Sequence, residues 1–218
     1  MPSDNASLLN DIHTYGINLK NREIYLHSYY GHSEEEIGVE YRMATTFVKN
    51  LHTLESISED GVLVHMHSVG GEWNDGMAIF NAIEYSPCAI TIIAYAHAVS
   101  MSSIILQAAD YRVLMPDADF MVHFGELSVE GHSLCVESSV EFNKKANERM
   151  LDIYTENCSN GVYFKGKSLP KVKSHIRNQI NKKGDWWLSA EDAKHYGFSD
   201  YIIGEKGYED IKKIRKNV

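Results

Sequence analysis

The run Ala89-Ile90-Thr91-Ile92-Ile93-Ala94-Tyr95 limits the possible folds more than any other part of this sequence. It carries no charge and, one threonine apart, no aliphatic polar side chain, and polar and apolar positions do not alternate along it. Such a run suits a parallel strand buried on both faces, and a strand of that kind needs helices above and below its sheet. The neighbouring segments supply them. Arg22–His27 and Val62–His67 read as two earlier strands. Between them, Ser33-Glu34-Glu35-Glu36 matches a capping box, in which a hydroxyl and a carboxylate satisfy the free N–H groups of a helix start. Ile37, Tyr41, Ala44, Val48, Leu51 and Leu54 then recur at steps of three and four, which predicts a helix to about Leu54. Asp60-Gly61 punctuates, and Gly70-Gly71 turns the chain into a second helix over about Asn74–Tyr85, with Met77, Phe80 and Ile83 as its apolar face. A third helix is expected over Met101–Ala109, followed by short strands at Tyr111–Leu114 and Asp119–Val122 on either side of Pro116-Asp117. The order β-α-β-α-β-α-β implies an α/β fold with a largely parallel sheet and right-handed crossovers.

After Gly131 the pattern changes. His132 to Cys158 contains neither Gly nor Pro, and Val136, Val140, Ala146, Met150, Ile153 and Tyr154 give it one apolar face. At roughly 1.5 Å per residue this helix is about 40 Å long, so it projects from a domain of this size. Its apolar stripe needs a cover, and a second copy of the chain is the simplest one. Ser189-Ala190-Glu191-Asp192 caps a last short helix ended by Gly197, and Tyr201–Ile203 reads as a closing strand.

Composition removes several classes of function. The 218 residues fit one α/β domain. Net charge is −9, and the only locally basic stretch is Lys212-Lys213-Ile214-Arg215-Lys216, which argues against a nucleic-acid partner. No apolar run approaches the length of about 18 residues that a membrane span needs, and the start MPSDNASLLN lacks a signal-peptide pattern. Cys88, Cys135 and Cys158 are odd in number and form no CxxC pair, which points to a reducing, cytoplasmic setting without a disulfide framework. His65 and His67 share one strand face but lack a clear third ligand, so no metal is expected, and nothing calls for an organic cofactor.

Ser100 follows the buried strand and opens a helix, which exposes its hydroxyl at the carboxyl end of that strand. A serine before a helix is commonly no more than an N-cap, and the elbow pattern GxSxG is absent from Ala98-Val99-Ser100-Met101-Ser102. Hydroxyl catalysis also needs an imidazole, an orienting carboxylate and N–H donors for an oxyanion. Topology alone assigns none of these partners, and His97 and His123 are rival histidines near Ser100 in the chain. Trp186 and Trp187 read as packing that fixes the Asp185 loop.

Four segments together resemble the ClpP family of serine peptidases, the proteolytic subunits of Clp proteases. Ile93-Ala94-Tyr95-Ala96-His97-Ala98-Val99-Ser100-Met101 is similar to the family's strand and nucleophile turn. Met121-Val122-His123 resembles its Met-Ile-His. Asp185-Trp186-Trp187-Leu188-Ser189-Ala190-Glu191-Asp192-Ala193, with Tyr196-Gly197 and Asp200, resembles its Asp-x-Phe-Leu-Ser-Ala-x-Glu-Ala…Tyr-Gly-Leu-x-Asp. His67-Ser68-Val69-Gly70-Gly71 resembles its Asn-Ser-Pro-Gly-Gly. The resemblance implies a catalytic triad of Ser100, His123 and Asp185, with the backbone N–H groups of Gly71 and Met101 as oxyanion donors. It implies a ClpP/crotonase-type spiral of βαβ units over residues 1–218, with a projecting strand-helix handle at about 124–160. It implies self-association into rings, heptameric in the family and stacked in pairs as a tetradecamer, with an AAA+ unfoldase as partner and peptides or unfolded proteins as substrates. The region of Tyr25, Tyr29 and Tyr30 would lie near the family's cleft for ATPase loops. Departures from the pattern are Val69 for its Pro, Ser102 for the Gly after Met, Phe124-Gly125 for Gln-Pro, and Gly184 for an Arg. Two other readings stay open: a catalytically silent ring subunit, and a crotonase-type acyl-CoA enzyme on the same spiral.

Overall fold

The apolar run becomes the central strand of an eight-stranded sheet in the computed structural model, which describes residues 4–27 and 38–216. This strand, β4 (Ile90–Val99), is buried over its first five residues. On one side it pairs in parallel with β3 (Val62–Ser68), which pairs in parallel with β2 (Glu23–His27). The short β1 (Ile17–Asn18) closes that edge antiparallel to β2. On its other side β4 changes partner halfway along. Thr91–Ala94 pair with β5 (Tyr111–Leu114), whereas His97–Val99 pair with β6 (Asp119–Val122). Beyond β5 lies β8 (Tyr201–Ile202), and beyond β6 lies β7 (Trp186–Leu188), which is antiparallel to it.

The helices follow the apolar periodicity. Next to the short α1 (Asp4–Asn10) and a π-helical turn at Asp11–Tyr15, α2 (Tyr41–Glu55) buries Met43, Ala44, Phe47, Leu51 and Leu54. It begins later than the capping-box reading had it. Ser33–Ile37, like Tyr29 and Tyr30, lie outside the described residues, but Val39 is extended and bridges to Gly71, and the Glu40 carboxylate caps the helix by accepting from the Met43 N–H at 3.0 Å. Tyr41, expected on the apolar face, is therefore in the first turn and exposed. α3 (Trp73–Glu84) and α4 (Met101–Leu106) pack on the sheet, and all of α4 is buried.

The long helix forms as α5 (Ser133–Cys158), but its burial is uneven. Met150, Leu151, Ile153, Tyr154 and Cys158 enter the core, whereas Leu134 and Phe142 in the first half are exposed. The expected handle strand is absent: residues 124–132 form none, because an extended segment needs a strand edge to pair with and this single chain offers none there. α6 (Leu169–Lys183) was not anticipated, although Pro170 in its first turn and Val172, Ile176 and Ile180 at steps of four mark it. Lys173 and Arg177 of α6 bind Glu148 and Asp152 of α5 and hold the two helices side by side. α7 (Ala190–Tyr196) is capped by Ser189, whose hydroxyl accepts from the Asp192 N–H at 3.1 Å. Among the described residues no helix is long and apolar enough to cross a membrane.

The last helix, α8 (Ile211–Ile214), folds back over the other face of the sheet, where Ile214 and Tyr208 cover Leu63, Ile93 and Val113. Glu23, with no exposed surface, receives the Arg215 guanidinium at the end of this segment and a 3.0 Å hydrogen bond from Asn18. Burial alone would raise the Glu23 pKa, but the neighbouring His65 and Arg215 outweigh it and hold it at about 2. A depressed carboxylate contributes stability above its unfolded pKa, and that contribution is lost as pH falls toward the folded value. Stability should therefore decline between about pH 5 and pH 2. Glu23→Gln should lower stability at neutral pH by on the order of 2 kcal/mol and flatten the acid decline. Thermal melts across this range test it; equal melting temperatures and equal slopes would show that Glu23 does not anchor the C-terminal segment.

Candidate active site

The change of partner along β4 brings the chemistry-bearing residues together. Ser100 immediately follows β4, and His123 immediately follows β6, the strand that pairs with the second half of β4. Asp185 immediately precedes β7, and the antiparallel register sets Trp186 opposite Val122. The residues just beyond that pair, Asp185 and His123, therefore lie side by side. His123 Nε2 is 2.8 Å from Ser100 Oγ, and its Nδ1 is 3.2 Å from Asp185 Oδ1. With Nδ1 donating to the carboxylate, the Nε2 lone pair faces the serine hydroxyl, which is the tautomer that can accept its proton. The Asp185 side chain is 54% exposed, so water screens its charge, and its effect on His123 is mainly orientation.

Ser100 sits at φ 55° and ψ −127°, a region that residues with a Cβ rarely adopt. Such a conformation costs roughly 1–3 kcal/mol and persists only where the surroundings hold it. The Ser100 N–H donates to the Met121 carbonyl at 3.1 Å, and its own carbonyl accepts from the Ser103 N–H at 3.0 Å and the Ser103 hydroxyl at 2.6 Å. Gly70 packs directly against this turn. A Cβ at Gly70 would come within 2.7 Å of Ser100 Cβ and of the Val99 carbonyl. The Gly70-Gly71 turn is held from its other side by Val39, which donates to the Gly70 carbonyl at 2.6 Å and accepts from the Glu72 N–H at 2.9 Å. A Cβ at Gly71 would lie 2.3 Å from the Val39 carbonyl, so this pairing requires glycine.

Gly71 and Met101 line the same cleft as Ser100 and His123, a space of about 440 Å³. Among the described residues neither of their N–H groups has a hydrogen-bond acceptor, which leaves both free for a ligand oxygen. Ile104, Phe142, Ala146 and Met150 give the cleft apolar walls, and Glu72 and Glu126 bring carboxylates to it, while among the described residues no Lys or Arg lines it. The cleft therefore suits an apolar group and carries negative potential at neutral pH.

The rival base His97 stacks instead against His67, with ring centroids 5.8 Å apart. His65 bonds Tyr95 through Nδ1 and stacks on Tyr25, and among the described residues no group of three His, Cys, Asp or Glu could hold a metal. Cys88, Cys135 and Cys158 are free, and burial pushes the Cys158 thiol up to about 12, so it remains a protonated, unreactive core group. Trp186 is buried against Tyr196 and Phe198, which secures the strand behind Asp185, whereas Trp187 is half exposed. Sequence reasoning missed Ser103 and Tyr154, whose hydroxyls meet at 2.6 Å behind the Ser100 turn. They are 51 residues apart, and no local pattern links them.

Comparison with known proteins gives the family and the fold. The family profile described as Clp protease matches residues 15–206. The chain is 29% identical over 168 residues to ATP-dependent Clp protease proteolytic subunit 2 of Pseudomonas aeruginosa, covering 76% of this chain and 77% of that one. It is 28% identical over 170 residues to the ATP-dependent Clp protease proteolytic subunit of Deinococcus radiodurans, covering 77% of each. Its fold resembles that of a ClpP1 mutant from Listeria monocytogenes, with a TM-score of 0.68 at 22% identity over 86% of this chain and 94% of that chain.

The close approach at Gly70 generates a test. Gly70→Ala should leave the sheet folded but displace the Ser100 turn, and a displacement of about 1 Å at a reacting group can cost on the order of 10²-fold in rate. The rate at which a fluorophosphonate modifies Ser100 should fall by that order, with circular dichroism unchanged. An undiminished rate would mean that the turn tolerates the methyl group and that Gly70 does not set its position.

Proposed function

The chain belongs to the Clp protease family, and we propose that it is a serine endopeptidase, the proteolytic subunit of a barrel-shaped assembly that cuts peptides and unfolded polypeptides. The observation that carries this reading is the continuous contact from Ser100 Oγ through His123 to Asp185 at the edge of the cleft. In the proposed reaction His123 Nε2 takes the Ser100 proton as Oγ attacks a peptide carbonyl. The tetrahedral oxyanion accepts from the Gly71 and Met101 N–H groups, His123 then protonates the leaving amine, and water releases the acyl group by the reverse sequence. Asp185 holds the imidazole in the accepting tautomer throughout. A crotonase-type acyl-CoA activity gains no support, since the family match is to Clp protease.

Two features support an assembly of copies of this chain. The first half of α5 exposes Leu134 and Phe142, and residues 124–132 have backbone that a neighbouring strand could pair. Rings that stack in pairs would cover these surfaces and enclose the clefts, so that an AAA+ unfoldase would have to feed folded substrates to them. Analytical ultracentrifugation at micromolar concentration should show a ring-sized species, and a clean monomer would exclude this arrangement.

The decisive experiment labels the nucleophile. A fluorophosphonate should modify Ser100 in the native protein, and Ser100→Ala or His123→Ala should abolish labelling. Asp185→Asn should slow turnover strongly, by up to about 10⁴-fold if Asp185 fixes the tautomer as in well-studied serine proteases. A folded assembly that takes no label near pH 8 would favour a catalytically silent ring subunit. Labelling that survived Ser100→Ala would identify another nucleophile.

A further inference from the structure

We propose that Ser103 and Tyr154 are positioning residues for the oxyanion donor on Met101, acting as a two-hydroxyl relay from α5 to the nucleophile turn. The inference rests on the serine peptidase reading above.

The Ser100 carbonyl and the Met101 N–H belong to one peptide group. That group is planar and trans, so the carbonyl and the N–H point in opposite directions, and whatever fixes one fixes the other. Its orientation is not set by backbone preference, because Ser100 lies outside the favoured regions. Nor does the Ser100 side chain cap α4, since Oγ is engaged with His123. The peptide plane is held through the carbonyl, by the N–H and hydroxyl of Ser103.

The proton count within this cluster assigns the donors. A serine hydroxyl carries one proton and two acceptor lone pairs. Ser103 Oγ lies 2.6 Å from the Ser100 carbonyl and 3.0 Å from the Met121 carbonyl, neither of which can donate. The Ser103 proton therefore serves those carbonyls, and the 2.6 Å contact with Tyr154 is made by the phenol donating to Ser103 Oγ. Burial raises the Tyr154 phenol well above its ordinary range, so it keeps its proton across the pH range in which proteins work. Its ring is clamped edge-on against Phe120 and Phe198, which fixes where the hydroxyl points. Donation from Tyr154 polarises Ser103 and strengthens the bond it gives in turn. The shared Met121 carbonyl, which also accepts from the Ser100 N–H, ties the same cluster to the strand that carries His123.

The relay links two parts of α5. The helix supplies Phe142, Ala146 and Met150 to the cleft wall and, farther along, the Tyr154 hydroxyl to the turn. Seating of α5 is thereby transmitted to the Met101 N–H without any contact between Tyr154 and substrate.

Steady-state cleavage of a fluorogenic peptide, with binding of a peptide boronate and of a product peptide, tests the relay in the full-length protein. The boronate forms a reversible tetrahedral adduct through Ser100 Oγ, whose proton passes to His123, and one boron-bound oxygen accepts from Met101. Loss of a whole oxyanion donor costs about 10²–10³-fold in kcat, and a misaimed donor should cost less, about 10–10²-fold for Ser103→Ala and several-fold for Tyr154→Phe. KM and product-peptide affinity should stay within about twofold, while boronate affinity falls in parallel with kcat. Because Tyr154 acts only through Ser103, the double variant should match Ser103→Ala alone. If Ser103→Ala does not fold, Tyr154→Phe, which keeps the ring, carries the same comparison of kcat, KM and boronate affinity. Unchanged kcat in the variants, additive losses, or equal losses of boronate and product-peptide binding would each overturn the relay. A wild-type protein that neither cleaves peptides nor binds the boronate would instead sink the peptidase reading, and the relay with it.

Discussion

Strand β4 exchanges one parallel neighbour for another between Ala94 and His97, and most of the site's geometry depends on that exchange. A sheet whose central strand kept a single partner would carry the end of β6 away from the end of β4. Here the second half of β4 diverges with β6 and β7 and forms a small branch of the sheet. Ser100 and His123 immediately follow strands of that branch, and Asp185 immediately precedes one. Parallel pairing of β4 with β6 sets the first two side by side, and antiparallel pairing of β6 with β7 brings in the third from the opposite chain direction. The branch is rigid because Phe120, Val122, Trp186 and Leu188 are buried in the main core.

The strained Ser100 backbone explains much of what surrounds it. A serine at positive φ is displaced unless its peptide groups are engaged and its neighbours leave room. Gly70 leaves the room, and Met121 and Ser103 engage the peptide groups. The family's usual proline before the paired glycines is Val69 here, an exposed side chain that cannot stiffen the turn as a ring would. Val39 holds the turn here by pairing with Gly71 from outside the main sheet. The same pairing accounts for the late start of α2, because Val39 cannot be helical and bridge Gly71 at once.

Charge and exposure divide the molecule differently from packing. Among the described residues the cleft has carboxylates at its rim and no cation in its lining, and Asp185 faces water. The first half of α5 and residues 124–132 show features of an unfinished surface: exposed apolar side chains and backbone without a sheet partner. The opposite face of the sheet, by contrast, is closed by the chain's own C-terminal segment, fastened at Glu23.

The amino-acid sequence by itself determined the α/β class, most of the strands, the long helix and the identities of Ser100, His123 and Asp185 as candidates. Those features are written locally: an unbroken apolar run, a three-to-four-residue apolar period, and short motifs in one order. The family motifs favoured His123 over His97, but what sets His123 beside Ser100 is the long-range pairing of β4 with β6. The sequence ran α2 through Val39, because the bridge from Val39 to Gly71 is a long-range contact that no local pattern records. It held no trace of the contact between Ser103 and Tyr154, which exists only because α5 packs behind α4. Local periodicity decides which elements form, but hydrogen bonds between distant residues decide where their ends meet. Ser100, His123 and Asp185 each lie at such an end, which is why only the tertiary structure could set their geometry.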